Sequence, residues 1–487
     1  MCYNPAMGEY EAIIGMEVHA QLLTRSKMFC GCSAEAFGAE PNTNVCPVCL
    51  ALPGALPVAN RRAVEQTITV GLALNCEINE TAVFSRKNYF YPDLPKGYQI
   101  SMYDFPLCQH GWVDVEGPDG EAKRIRIRRV HLEEDTAKSF HMVEQTLVDF
   151  NRAGLPLIEI VTEPDIRSPE EARQYLVGLR TVLRYLGVSS ADMEKGAMRC
   201  EANVSLRPAG SVEMGTKVEV KNLNSFRAVK QALTYEIERQ TQALGRKERV
   251  RQVTMGWDEV RGRTVEQRAK EESEDYRYFP EPDLPRLHVV PTWVEELRAE
   301  LPEMPGVLQE RLVSEYGLSP IDASVLVDDR NIADYFVKTA DAAVERAIPP
   351  QIVANWVTGD LFRLLKAREG QVSDLKVTPA GLAELIALVE RKKITARSGK
   401  AVLEEMAATG RPPGEIVEER GLSKISDEEV LDQIIDELIA AHPDEVATYQ
   451  AGKETVLQWF MGQVMRATRG KADPQVVLSL LQEKLDP

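Results

Sequence analysis

The sequence predicts an α+β chain whose strands and helices are segregated along its length, on two observations. Apolar and polar residues alternate in short segments between Ile13 and Lys221, the period of a half-buried strand. Beyond about Trp293 that alternation disappears, and helical periods dominate through 307–316, 319–327, 341–346, 351–366 and 379–390. Pro302 and Pro305 interrupt the chain between the two regimes, so the helical part reads as a separate domain. At 487 residues the chain exceeds what one hydrophobic core holds, which implies about two to four domains.

Hydrophobic residues at 44% and charged ones at 27% are ordinary for a folded soluble protein. The formal net charge of -17 repels a polyanion at long range, so contact with nucleic acid has to come from local basic clusters. No run approaches the roughly 18 apolar residues of a membrane span, and no basic stretch followed by an apolar one opens the chain. A cytoplasmic protein without membrane contact is expected. Eight cysteines in such a chain do not read as a disulfide framework.

In the first strand, 13–22, Ile14, Met16, Val18 and Ala20 share one face, and Glu17 and His19 share the other. Two residues along a strand span roughly 6.5 Å, so the carboxylate and imidazole can converge on one cation or one proton-transfer site. The same spacing fits a half-exposed strand with two polar residues in water. Residues 29–53 are loop-like and hold Cys30 and Cys32, then Cys46 and Cys49. Four thiolates complete a closed tetrahedral shell, so a structural Zn2+ that orders a loop with little core is expected there.

The segment 60–74 has helical spacing. Next, 85–103 reads as a loop dense in aromatic rings and cations, suited to holding a base on its rings and a phosphate on Lys87 or Lys96, or to filling a core. In 123–129, Arg124, Arg126 and Arg128 line one strand face, either to meet phosphates or as a solvated surface. His131 and the consecutive acids Glu133, Glu134 and Asp135 follow; adjacent carboxylates repel unless solvated or neutralised by a hard cation such as Mg2+. Residues 149–165 form a turn and an apolar strand stopped by Pro164, after which Ser168 and Pro169 start a helix that Gly187 closes.

Two further strands, 198–206 and 217–221, offer Glu201 and Glu219, and the residues 222–225 cap a helix over 226–244. The charged stretch 258–283 ends in a proline-rich loop, 276–285. Toward the C-terminus, 411–414 reads as a joint and 426–429 as a helix-capping signal. Arg466, Arg469 and Lys471 flank Gly470 near Trp459 and Phe460, a module that either touches RNA or is a self-contained bundle. The chain has no G-x-x-x-x-G-K-[ST] loop, no G-x-G-x-x-G fingerprint and no G-x-S-x-G elbow. Any nucleotide site is of another kind.

Segments 13–22, 86–104, 131–138, 149–168, 194–207, 217–227 and 274–283 closely resemble the B-subunit family of tRNA-dependent amidotransferases, with long motifs such as Lys-Asn-Tyr-Phe-Tyr-Pro-Asp and Asn-Arg-Ala-Gly-Leu-Pro-Leu-Ile-Glu-Ile. The resemblance implies a cradle-shaped catalytic domain with a central antiparallel sheet (1–295, including the Zn loop), a helical domain (296–412) and a small helical tail that binds tRNA (413–487). It implies ATP-dependent amidation of mischarged Glu-tRNA(Gln) or Asp-tRNA(Asn). The partners it implies are an amidase, the A-subunit, which supplies ammonia, a small C-subunit, and a non-discriminating aminoacyl-tRNA synthetase.

Carried over by position, Glu17, His19, Glu134, Glu201 and Glu219 match the family's Mg2+ residues, with Glu17, His19 and Glu134 nearest the chemistry. The choice of Glu134 over Glu133 rests on the resemblance, because alternation groups Glu134 with Leu132. Glu201 stands where some members carry Asp. Lys87, Asn151 and Arg152 are candidates for handling phosphate or substrate. The cysteine set matches those members that carry structural Zn2+. The same acids also fit a tRNA-binding scaffold or a two-metal nuclease.

Overall fold

The computed structural model describes residues 9–117, 120–269, 276–368, 370–422, 428–453, 455–468, 472 and 474–485. The capping signal at Ser426 and the basic pair Arg469 and Lys471 lie outside the described residues. The chain falls into two units, Met1–Pro305 and Gly306–Pro487.

In the first unit the strands run as β1 (Tyr10–Gln21), β2 (Glu77–Ile78), β3 (Thr81–Ala82), β4 (Ser85–Asn88), β5 (Tyr98–Ser101), β6 (Cys108–Glu116), β7 (Ala122–Glu134), β8 (Lys138–His141), β9 (Thr146–Asp149) and β10 (Pro156–Thr162). They continue as β11 (Met198–Pro208), β12 (Val218–Leu223), β13 (Val253–Asp258), β14 (Arg263–Ala269), β15 (Phe279–Pro280) and β16 (Leu287–His288). The helices are α1 (Arg61–Ala73), α2 (Pro169–Tyr185), α3 (Phe226–Gly245) and α4 (Pro291–Ala299). Nine strands form one sheet in the order β14-β13-β12-β11-β1-β10-β7-β6-β2, which puts β1 at its centre. The expectation of an antiparallel sheet is corrected at one pair. β12 and β13 run parallel because α3 is the crossover between them, so the sheet is mixed.

Alternation decides which face of β1 is buried. Ile14, Met16, Val18 and Ala20 are at most 1% exposed and join Leu132, Ile158, Ile160, Ala202 and Val204 in the core beneath α1, α2 and α3. Each such aliphatic side chain contributes about 1.5–3 kcal/mol on burial, which fixes the register and so turns Glu17 and His19 to the other face. The helices start where side chains cap them. Asn60 accepts from the Arg62 and Ala63 amides, Ser168 from Glu171 and Ser225 from Ala228, each worth about 1 kcal/mol.

The segment 85–103 is not a loop throughout. Its ends pair as β4 and β5, and β15 adds a third strand through Arg86–Phe279 and Ser85–Pro280. The turn between them needs Gly97 at φ +74, where a Cβ would press on the Phe90 ring. The charged stretch 258–283 likewise contains β14, paired with β13 just before it, whose Met255 and Trp257 reach the core. Arg124, Arg126 and Arg128 point outward from β7, each bonded to its own carboxylate: Asp114, Asp165 and Glu163.

The second unit is helical. Its described helices include Arg330–Val344, Pro379–Glu390 and Ala396–Thr409. Glu428–Ala441, Pro443–Gln450, Thr455–Ala467 and Pro474–Leu485 enclose a core of their own, built on Leu431, Ile435, Phe460, Val464 and Leu481.

Candidate active site

Cross-strand register assembles the site. His131 on β7 stands opposite Glu159 on β10, Glu159 opposite His19 on β1, and His19 opposite Arg199 on β11. Two residues along β1, Glu17 faces Glu201, and beyond it Asn203 faces Glu219 on β12. The polar face therefore carries a row of imidazoles and carboxylates drawn from five adjacent strands. Together with Lys87, Glu17, His131, Glu159, Glu201, Glu219 and Lys221 line a cleft of about 540 Å³.

Distances show which groups meet. His19 Nε2 lies 3.3 Å from Glu159 Oε2, 3.4 Å from Glu133 Oε1 and 4.0 Å from Glu17 Oε1. His131 Nε2 lies 3.5 Å from Glu159 and 3.9 Å from Glu133. Glu17, His19 and Glu159 offer ligand atoms within 4.8 Å of one another, as do His131, Glu133 and Glu159. Octahedral coordination at about 2.1 Å puts neighbouring donors about 3 Å apart, so these oxygens and nitrogens fit a small divalent ion after minor side-chain adjustment. Glu201 and Glu219 sit further along the cleft. Lys221 Nζ bonds Glu201 at 2.8 Å and lies 3.9 Å from Glu219, which accepts a hydrogen bond from Thr254.

Crowded negative charge perturbs the cluster. Repulsion from Glu159, then burial, pushes the Glu17 carboxyl up to about 7. Burial opposes the charge on His19, but its hydrogen bond to Glu159 and the charges of Glu133, Glu159 and Glu17 prevail and hold it at about 9. Glu159 is held well below the usual carboxylate range despite burial, by His131 and His19. Lys87 is likewise kept charged against burial, first by Glu133, and its ammonium lies 5.0 Å from the centre of the Tyr276 ring.

Glu134 does not join this cluster. It lies on the other side of the sheet, where it pairs with Lys96 at 2.7 Å and accepts from the Ile100 amide at 2.9 Å. The neighbour Glu133 points into the site and accepts from Ser101. A bulge explains the arrangement: Val161 pairs with Arg129 but Thr162 with Ile127, so Arg128 is extra and parity inverts. Ile125 and Ile127 face the core before it, Val130 and Leu132 after it, and Glu134 follows Leu132. Sequence reasoning read His131 and Glu133 only as part of the acidic run, taking Glu134 from it instead, and passed over Glu159. Glu159 carried a signal, a lone acid inside the apolar run Pro-Leu-Ile-Glu-Ile-Val-Thr.

Asn151 and Arg152 also lie away from the cleft lining. Asn151 accepts from the Asn44 amide and donates to Glu40 O, tying down the cysteine-bearing loop. Arg152 donates to the carbonyls of Thr136 and Ala137. In that loop the sulfurs of Cys30, Cys32, Cys46 and Cys49 lie within 4.8 Å of one another. Tetrahedral Zn–S bonds of about 2.3 Å place sulfurs about 3.8 Å apart, and Cys46 and Cys49 already stand at 3.9 Å. A hydrogen bond from Cys30 pulls the Cys49 thiol down to about 4 and by the same bond pushes Cys30 itself up, so one thiolate of the set is favoured by the sulfurs alone.

Residues 12–295 match the family described as the GatB/GatE catalytic domain, and 334–485 the one described as the GatB domain. The chain belongs to the GatB family. Among its GatB relatives, the B-subunit of the aspartyl/glutamyl-tRNA(Asn/Gln) amidotransferase of Roseiflexus sp. (strain RS-1) is 54% identical over 98% of each chain. The protein of the same name from Moorella thermoacetica is 52% identical over 98% of this chain and all of its own. The GatB match covers both the sheet that bears the cleft and the helical unit. Among the described residues, no helix is long and apolar enough to cross a membrane.

Proposed function

We propose that this chain is the amidating component of a tRNA-dependent amidotransferase, acting on Glu-tRNA(Gln), Asp-tRNA(Asn) or both at the cleft above β1. The observation that carries this reading is the convergence of His19, Glu133, Glu159 and Glu17 beside Lys87 in a chain of this family. A carboxylate is a poor acyl donor because its leaving group is oxide. In the first step a side-chain oxygen of the tRNA-borne Glu or Asp attacks the γ-phosphorus of ATP, and ADP leaves with the electron pair. In the second, ammonia adds to the acyl phosphate carbon, inorganic phosphate departs and the nitrogen loses a proton.

His19, Glu133 and Glu159, with Glu17, would hold Mg2+, which when bound neutralises phosphate charge. Glu201 and Glu219 extend the acidic wall, and Lys87 is the cation positioned to meet a phosphoryl oxygen. Glu134, paired with Lys96 on the other side of the sheet, is assigned to packing in this reading, Arg152 to holding the backbone at 136–137, and Asn151 to fastening the cysteine loop, where Cys30, Cys32, Cys46 and Cys49 would hold a structural Zn2+. Free ammonia is mostly ammonium near neutral pH, so a partner amidase, the A-subunit, must deliver it by a protected path, with a small C-subunit completing a cytoplasmic heterotrimer. The 413–487 tail would engage the tRNA, and a non-discriminating synthetase would supply it mischarged.

Reconstitution with the partner chains, glutamine, ATP, Mg2+ and each mischarged tRNA tests the reading. Wild type is expected to form Gln-tRNA or Asn-tRNA, and His19→Ala to lose that product while glutamine hydrolysis by the partner persists. Amidation retained by His19→Ala would overturn the site assignment.

A further inference from the structure

One part of the cleft is not used by the acid cluster. Tyr103, just past β5, and Tyr278, just before β15, stack with ring centres 4.2 Å apart and planes 10° from parallel. Tyr276 meets Tyr278 edge-on at 6.1 Å, and all three rings line the cleft that Glu17 and Glu159 line. Ring pairs that only fill a core are buried, whereas Tyr103 is 37% exposed. Arg129 joins the rings to the acids. Its guanidinium carbon lies 5.9 Å from the Tyr103 ring centre and its Nη2 3.5 Å from Glu159 Oε1, while its buried Nε has no hydrogen-bond partner among the described residues.

We propose that the Tyr103–Tyr278 stack, with Arg129 beside it, seats an adenine base. A planar aromatic surface recognises any nucleobase through its π-face. The assignment to adenine rests on the function proposed above, because that chemistry takes place between ATP and the terminal adenosine of an aminoacylated tRNA. Both ligands present the same ring. The platform lies one side chain from the carboxylate cluster, so a base stacked there leaves its phosphates or its ester at the acids. Arg129, attracted at once to the ring face and to Glu159, keeps the two halves of the cleft in register, and its free Nε is a donor for a ribose or phosphate oxygen.

The test uses the full chain reconstituted with its partner chains and compares Tyr103→Ala with Tyr103→Phe. Tyr103 is exposed, so its truncation does not empty the core. KM is measured separately for ATP and for mischarged tRNA. Tyr103→Ala is expected to raise one of them roughly 5- to 160-fold, which corresponds to about 1–3 kcal/mol of base stacking, and Tyr103→Phe to restore it. A rise confined to ATP assigns the seat to the nucleotide, and one confined to tRNA assigns it to the terminal adenosine. Both constants unchanged in an active complex would overturn the platform and leave the amidation reading standing. A wild-type complex that makes no amidated tRNA would instead overturn that reading, and the adenine assignment with it.

Discussion

Two carboxylates in the first unit are perturbed in opposite directions. Glu170 at the start of α2 touches Arg173 and Lys230, and those bonds hold it down at about 2. Glu17 on β1 is pushed up to about 7, first by the charge of Glu159. The same division runs through the whole unit. Asp114, Asp165, Glu163 and Glu281 each have an arginine, in the last case Arg86 at 2.7 Å. In the cluster at the cleft, by contrast, Glu17, Glu133 and Glu159 share His19, His131, Lys87 and Arg129 at longer range. Carboxylates that serve the fold arrive with their cations. Among the site carboxylates Glu17 is held up by repulsion, while Glu159 is drawn down by the two imidazoles and Glu201 bonds Lys221 at 2.8 Å, so charge there is shared within a cluster rather than paired one to one.

The largest effect should come from removing the charge that both imidazoles share. Glu159→Gln keeps the shape of the side chain but takes away the acceptor nearest to His19 and His131. Amidation is expected to fall by at least about 100-fold, as when one preorganised electrostatic partner is removed, with little change in Tm because repulsion on Glu17 is relieved at the same time. If rate and Tm fell together, Glu159 would belong with the fold-serving carboxylates and the contrast would fail.

Glu133 and Glu134 sharpen the contrast because they are adjacent and face opposite ways. Glu134→Gln leaves the Lys96 ammonium, 15% exposed, without its counter-ion, and breaking a buried pair typically costs about 3–5 kcal/mol. Glu133→Gln removes one of several mutually repelling charges. Chemical denaturation should therefore show a large loss for Glu134→Gln and a small change for Glu133→Gln, while Mg2+-dependent amidation should be abolished by the second and persist in the first below its melting temperature. The reverse pattern would return Glu134 to the metal set.

These pairs also show what a single sequence can and cannot disclose. The face of β1 was legible, since the alternating Ile14, Met16, Val18 and Ala20 leave Glu17 and His19 no other side. The helix starts at Asn60, Ser168 and Ser225 were legible because a cap is a local hydrogen bond. Which strands neighbour β1 was not, because register depends on partners more than a hundred residues away: Glu159 meets His19 only through the β1–β10 pairing. Alternation did keep Glu134 with Leu132, and the resemblance set that local signal aside. The Arg128 bulge, invisible in the period, carries the acids of β7 to the faces they occupy. Asn151 and Arg152 looked like substrate ligands because polar residues in a turn give no sign of which backbone groups they fasten.

The cysteine loop is an intermediate case, organised neither by paired charges nor by the sheet. Chelation of the Zn2+ proposed for it, or Cys49→Ser, is expected to speed amide exchange across 29–53 while the β1, β10 and β11 amides stay protected. Asn151→Ala should have a milder version of the same effect, about 1–2 kcal/mol, since it removes only the bonds to Glu40 and Asn44. Exchange that accelerated equally in the central strands would mean that the loop and sheet unfold as one body.

The smallest effect belongs to Glu170 itself and carries a definite pH signature. Its ordinary value of 4.5 applies to the unfolded chain, and about 2 to the folded one, so the folded protein favours the ionised form. The resulting stabilisation is complete above about pH 4.5 and disappears as pH falls toward 2, where the carboxyl is protonated in both states. The group is partly exposed, and its partner Lys230 is half exposed, so solvent screens the pair and the gain is modest. Thermal melts of wild type and Glu170→Gln should therefore differ slightly at pH 6 and converge as pH is lowered to about 2, and added salt at pH 6 should narrow the gap. A gap that widened on acidification would show that the bonds from Arg173 and Lys230 do not govern Glu170, and that the carboxylates outside the cleft are not held by their cations after all.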